Sequence, residues 1–326
     1  MEICTGIRDV DTLKKYIAAG ATEFYCGMID DNWLDTYDYV TPINRRPWPE
    51  ANFSNFYQLE EAVRIAHANG CRLFYTLNEH CYSKKQFPII AKHVEKLIAM
   101  NTDAIIFSDL SLIKYIIELN FSNEIHISTG GIAFNNYAVK FYKEQFGAKR
   151  IILPRVLLIQ EINEIANENK DMDFEIFIKN EGCTYIDGLC NFVHGVQFIP
   201  NGEKRTSNPP CELRYQVKCS SEKNPAEPVV LESRLDKVLG MKGNCGICSL
   251  YLFNRARIKS LKIVSRDTDP DSVVMDIKKV KESIRLCDEI DDFMEFKKRV
   301  RLDFCKNEYK KKHIFCYYSE VIRDEI

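Results

Sequence analysis

Along the chain, short runs rich in β-branched and aromatic residues alternate with longer segments whose apolar positions recur every three and four residues. The first kind predicts strands at Ile3–Gly6, Glu23–Gly27, Arg72–Asn78, Ala104–Ser108, Glu124–Thr129, Arg150–Pro154, Phe174–Lys179 and Ser260–Val264. The second predicts helices at Asp11–Ala19, Leu59–Asn69, Phe87–Met100, Ser111–Glu118, Asn136–Phe146 and Leu158–Asn169. Asn69-Gly70 and Phe146-Gly147 put glycine where a helix must end with a positive φ before turning into a strand. Strands joined by helical crossovers form parallel sheets. Eight such units, with no G-x-G-x-x-G or Walker sequence after any strand, predict a closed (β/α)8 TIM-like barrel rather than an open doubly wound sheet.

Two long stretches break this rhythm, Ile29–Ala51 and Asn180–Lys259, and both follow the C-terminal end of a strand. That face of a barrel carries the active site, and long connections there are usually functional. Asp269 and Pro270 suit the cap and first position of an eighth helix running to Leu286. The expected organisation is a barrel over 1–286, including an insertion over 180–259 after the seventh strand, then a basic, aromatic tail over 287–326 that packs back on the barrel.

At 326 residues, 45% hydrophobic and 28% charged with a net charge of −2, the chain reads as one large globular α/β domain and not as a dedicated polyanion coat. A local basic groove for RNA remains compatible with that total. No apolar run approaches the ~20 residues of a membrane span and the start lacks a leader pattern, so a cytoplasmic location is expected. In that reducing compartment the 13 cysteines stay free thiols. Cys4, Cys26 and Cys71 lie in or beside strand patterns and read as core. Cys183, Cys190, Cys211, Cys219, Cys245 and Cys248 instead fall within 66 residues of the insertion. Soft thiolates converging from one loop suit an iron–sulfur cluster or zinc. Only Cys245 and Cys248 have the short spacing of a zinc knuckle, so a cluster is the first expectation and zinc the alternative.

Candidate acids and bases at the barrel mouth are Glu79, His80, Asp109, His126, Glu181 and His194, of which Asp109, His126, Glu181 and His194 are the catalytic candidates. Arg45, Arg46, Arg155, Lys179, Lys262 and Arg266 stand at the same strand ends and suit an anionic ligand, whether carboxylate, phosphate or RNA backbone. No G-x-S-x-G or H-E-x-x-H motif accompanies them.

Several short motifs keep a characteristic order: Ala18-Ala19-Gly20-Ala21, Tyr25-Cys26-Gly27, Asn52-Phe53-Ser54, Thr76-Leu77-Asn78, His126-Ile127-Ser128-Thr129, Leu153-Pro154-Arg155, the C-x6-C of Cys183 and Cys190, Cys211-x2-Arg214-Tyr215 and Lys262-Ile263-Val264-Ser265-Arg266. Over roughly residues 1–285 the chain resembles the collagenase-like proteins of peptidase family U32. The resemblance implies a barrel with a [4Fe-4S] cluster on Cys183, Cys190, Cys211 and Cys245, with Cys248 as the alternative to Cys245. Cys245 is preferred because it stands 17 residues before Lys262, the family's separation. Asn52, Asn78, Arg155, Lys262 and Arg266 become the candidate substrate contacts.

The family's activities divide between peptide hydrolysis of unknown catalytic type and oxygen-independent hydroxylation of tRNA, ribosomal RNA or a quinone precursor, in some cases drawing on prephenate. The chain departs from the family pattern at Val156 and Val264, where carboxylates are customary, and at Gly130, where glutamine is. The expectation is an iron–sulfur-dependent redox or hydroxylation protein acting on an RNA, peptide or small anionic substrate with an unidentified electron partner. The alternatives are a peptidase and a non-catalytic cluster-binding subunit.

Overall fold

The computed structural model describes residues 1–37, 41–46, 48–119, 121–180, 182–183, 185–190, 214–221, 224–234, 240–241, 245–304 and 316–322. All eight predicted strands form: β1 (Glu2–Gly6), β2 (Glu23–Cys26), β3 (Arg72–Leu77), β4 (Ala104–Phe107), β5 (Glu124–Ile127), β6 (Arg150–Ile152), β7 (Asp173–Lys179) and β8 (Ser260–Ile263). They close in the order β1-β8-β7-β6-β5-β4-β3-β2, every neighbour parallel. Closure is made by Glu2–Thr5 beside Ser260–Ile263. The predicted helices surround this barrel, and asparagine or aspartate caps several of them, as when Asn55 and Asn135 each accept the backbone N–H three residues on.

Sequence periodicity missed a short helix at Asp31–Tyr37 and another at Leu250–Arg255. The second fills the crossover between β7 and β8, so part of the expected insertion belongs to the barrel wall. Leu250, Tyr251 and Phe253 are all buried, which removes the polar face that a 3.6-residue pattern needs to be visible. The rest of the expected insertion is described only in part. Within it Arg214–Ser221 pairs antiparallel with Asn224–Arg234, and Gly182–Cys183 with Gly240–Met241.

Past the eighth helix, Pro270–Glu289, a further helix spans Phe293–Phe304 with Phe296 and Val300 buried. Residues 316–322 return to the wall. The Tyr318 hydroxyl donates to the Phe177 carbonyl at 2.9 Å, the Ile159 N–H donates to Glu320 at 2.7 Å, and Cys316 forms a parallel bridge with Cys245.

The barrel interior is not wholly apolar. Arg150 on β6 donates to both oxygens of Glu23 at 2.6 and 2.7 Å and to Glu175 at 3.3 Å. Lys262 donates to Glu175 at 2.6 Å and stands over the Tyr25 ring at 3.8 Å, while Ser260 donates to Glu23 at 2.7 Å. Burial alone would raise the Glu175 carboxyl, but Lys262 and Arg150 hold it below its ordinary range.

His126 and Lys262, expected at the mouth, both lie in this interior. Strand alternation turns their side chains inward, and His126 is level with Arg150 near the lower end of β6. Its Nε2 is 3.1 Å from Glu124, and its ring meets Phe74 edge-on.

This pair makes folding sensitive to acid. The His126 bond, then Arg72, brings the Glu124 carboxyl from 4.5 down to about 2, and burial lowers His126 from 6.5. Both pKa values are lower folded than unfolded, so the unfolded chain binds more protons as pH falls. Stability from His126 is lost below about 6.5, and that from Glu124 between 4.5 and 2. Urea midpoints measured across this range fall in wild type, and more shallowly in His126→Gln.

Candidate active site at the barrel mouth

The floor of the mouth is built around Arg266, which follows β8. Its guanidinium donates to Asn44 Oδ1 at 3.2 Å and Thr76 Oγ1 at 3.4 Å. Asn44 in turn donates to Asn52 Oδ1 at 2.9 Å, and Asn52 donates to the Trp48 carbonyl at 2.9 Å. Gly6 and Gly27 make the room. A Cβ at Gly6 would meet the Arg266 side chain and the Tyr25 ring, and one at Gly27 would meet Arg266, Asn52 and Asn44. Gly27→Ala is therefore expected to displace Arg266 and lower stability by about 1–3 kcal/mol, the usual cost of overpacking, as read from a urea titration.

Arg266 is only 4% exposed and has no carboxylate within ion-pair distance among the described residues. Burial pulls its pKa down to about 10, and neighbouring Arg46 adds to the effect, partly countered by Asp267. A buried cation whose side-chain hydrogen-bond partners among the described residues are a neutral amide and a hydroxyl is a ready receptor for an anion.

The next wall comes from the loops after β3 and β4. Asn78 Oδ1 accepts the Arg45 N–H at 3.3 Å, and Glu79 accepts the His80 N–H at 2.9 Å. Burial raises the Glu79 carboxyl and, with Arg45 beside it, lowers His80 to about 4. His80 is therefore a neutral imidazole at physiological pH. It hydrogen-bonds Arg45, and its buried Nδ1 has no hydrogen-bond partner among the described residues. Asp109 has a different duty. Its carboxylate accepts from Ser111 N, Ser111 Oγ, Leu112 N and Tyr82 N, capping one helix and pinning the loop before another. Those four donors leave it little capacity for proton transfer.

Opposite stands the cysteine-bearing wall. Just past β7, Asn180 has a φ of 68° that turns the chain off the barrel, a conformation asparagine tolerates. Its side chain donates to Asp276 at 2.9 Å, and its carbonyl accepts the Tyr317 hydroxyl. Cys183 follows, half-buried, accepting the Tyr185 N–H at 3.4 Å. Asp187–Leu189 then forms a 3-10 turn that delivers Cys190. Arg155, three residues beyond β6, donates to both oxygens of Asp187 at 2.8 and 2.9 Å and lies over the Phe177 ring at 4.1 Å.

Cys245 returns beside Lys179 at the end of β7, and Cys248 follows within the Ile247–Ser249 turn. Linear spacing does not place Cys316 on this wall, because nothing about a cysteine 71 residues downstream of Cys245 signals a backbone bridge to it.

No disulfide joins the ten cysteines whose side chains are described. Their chemistry and the placing of Cys183, Cys190 and Cys245 after β7 fit a soft metal. Their sulfurs are not drawn into a metal-spaced group, however. Among the described residues, the one such set is Cys4, Glu23 and Glu175, already compensated by Arg150 and Lys262 inside the barrel. Three expected site residues, Glu181, His194 and Cys211, lie outside the described residues.

Residues 8–323 match the profile of peptidase family U32. The chain belongs to that family. Among U32-like relatives, tRNA hydroxylation protein P of Escherichia coli is 31% identical over 166 residues, 51% of this chain and 36% of the relative. Its namesake from Haemophilus influenzae is 36% identical over 140 residues, 43% of this chain and 30% of the relative. The match thus spans about a third of the curated relatives. A solved U32 peptidase structure superposes with a TM-score of 0.46 at 12% identity, covering 81% of this chain and 93% of that one.

Two glycines let loops pack closely at the mouth of this U32 protein. A Cβ at Gly188 would overlap the Gly130 carbonyl oxygen and the Ile132 side chain, so glycine at 188 lets the Asp187–Leu189 turn seat directly on the Thr129–Gly131 turn after β5. A Cβ at Gly130 would instead meet Ser108 and His80. Val156, in place of the family carboxylate, is exposed, whereas Arg155 beside it keeps its acidic partner in Asp187.

Proposed function

We propose that this U32 protein is a hydroxylation protein acting on RNA by oxygen-independent redox chemistry. The observation that carries the reading is its sequence likeness to relatives named for tRNA hydroxylation. The mouth supports it, with Arg266 offering a buried cation to a small anion and Arg155, Asn52 and Asn78 standing around it. His80, a neutral imidazole whose Nε2 accepts from Arg45, has its Nδ1–H to offer there as a hydrogen-bond donor.

An iron–sulfur cluster on Cys183, Cys190, Cys211 and Cys245, with Cys248 as the alternative to Cys245, would supply one-electron transfer. Zinc on the same thiols is the alternative, and the electron donor or acceptor is unidentified. Among the described residues no helix is long and apolar enough to cross a membrane, and free thiols suit a cytoplasmic setting.

The test is anaerobic incubation of iron-loaded protein with unmodified tRNA and a reductant or oxidant, followed by nucleoside mass spectrometry. A hydroxyl-mass gain that requires both iron and Arg266 supports the reading. Peptide release by iron-free protein, unchanged in Cys183→Ser, overturns it in favour of hydrolysis.

A further inference from the structure

We propose that Arg155 and Asp187 are positioning residues for the metal centre, holding the Cys183–Cys190 segment in place and setting the local charge that the centre feels. The inference rests on the cluster reading above and concerns side chains outside its thiol ligands.

The geometry is specific. Asp187 lies between the two cysteines, and its carbonyl accepts the Cys190 N–H at 3.4 Å, so fixing Asp187 fixes the backbone of Cys190. Arg155 grips both Asp187 oxygens from the neighbouring β6–helix loop, and both side chains are largely buried. A second hold comes from below. The Asp187–Leu189 turn rests on the Thr129–Gly131 turn through the close Gly188–Gly130 approach, next to Ile132, whose φ of 56° is unusual for a β-branched residue. Strain of that kind persists where surrounding contacts over-determine the backbone.

The electrostatics follow from the same contacts. The Arg155 guanidinium and the Asp187 carboxylate, 2.8 and 2.9 Å apart, stand at the turn between Cys183 and Cys190. A cluster carried by thiolates is anionic, so a buried guanidinium stabilises the added electron and a buried carboxylate opposes it. The ion pair places one charge of each sign beside the centre.

Redox titration of anaerobically prepared wild type, Arg155→Gln, Arg155→Lys and Asp187→Asn, followed by EPR, tests this. Arg155→Gln is expected to lower the reduction potential and Asp187→Asn to raise it, while Arg155→Lys stays nearer wild type. Both uncharged variants also lose iron faster to a chelator, because the turn carrying Cys190 is released. Should Arg155→Gln retain no cluster, Asp187→Asn and Arg155→Lys decide by the same signs. Shifts of one sign, or none, with wild-type iron retention overturn the anchor and leave the cluster reading standing. Wild type without an iron–sulfur spectrum removes both.

Discussion

Arg150→Ala lowers the free energy of unfolding by about 3–5 kcal/mol, the range for removing one partner of a buried ion pair. Natural domains have only about 5–15 kcal/mol in total, so this variant is expected to be largely unfolded at modest urea. Three facts make the loss large. The guanidinium is fully buried, its nitrogens face Glu23 and Glu175 inside the barrel, and these carboxylates keep only Ser260 and Lys262 as polar contacts once it is gone. Its pKa is raised although burial works the other way, because Glu23 and Glu175 outweigh it. Chemical denaturation followed by circular dichroism checks the value. A double variant with Arg150→Met and Glu23→Gln recovers much of the loss, since it removes the stranded charge while leaving Glu175 paired with Lys262.

Cys183→Ser removes most of the iron bound per chain after anaerobic preparation. A serine hydroxyl is a hard, weak donor in a set of soft thiolates. The fold is expected to survive, because Cys183 is half-exposed and lies beyond the end of β7, outside the barrel strands. Cys26→Ser serves as the control. Cys26 is buried in β2 with its thiol pointing at the Phe74 carbonyl, so its replacement leaves iron content unchanged while altering stability modestly. Iron counting and absorption spectra read both. Equal iron in wild type and Cys183→Ser rejects the ligand.

The barrel was legible because its rules are local. Each strand is a short apolar run and each exposed helix shows a stripe, so eight units could be read in order. Leu250–Arg255 was hidden because it is short and buried on most sides, and Phe293–Phe304 because its sequence reads as a basic tail. The site was legible in residue type more than in role. His126 and Asp109 are the kinds of side chain that transfer protons, yet one faces the interior and the other is spent on backbone N–H groups. Such differences depend on which residue stands opposite across the barrel, a relation that linear spacing does not encode. The bridge between Cys316 and Cys245 was invisible for the same reason.

The order of strands also sets a timetable for synthesis. β8 is the piece that joins β1 to β7, and the chain between Lys179 and Ser260 must be made before it emerges. At roughly 5–20 residues per second, that stretch of about 80 residues occupies some 4–16 seconds. Throughout it a seven-stranded sheet has two bare edges, at β1 and β7, which can pair with other chains. Nascent chains stalled in this window are the form most exposed to aggregation, and the form for which a chaperone has most to cover.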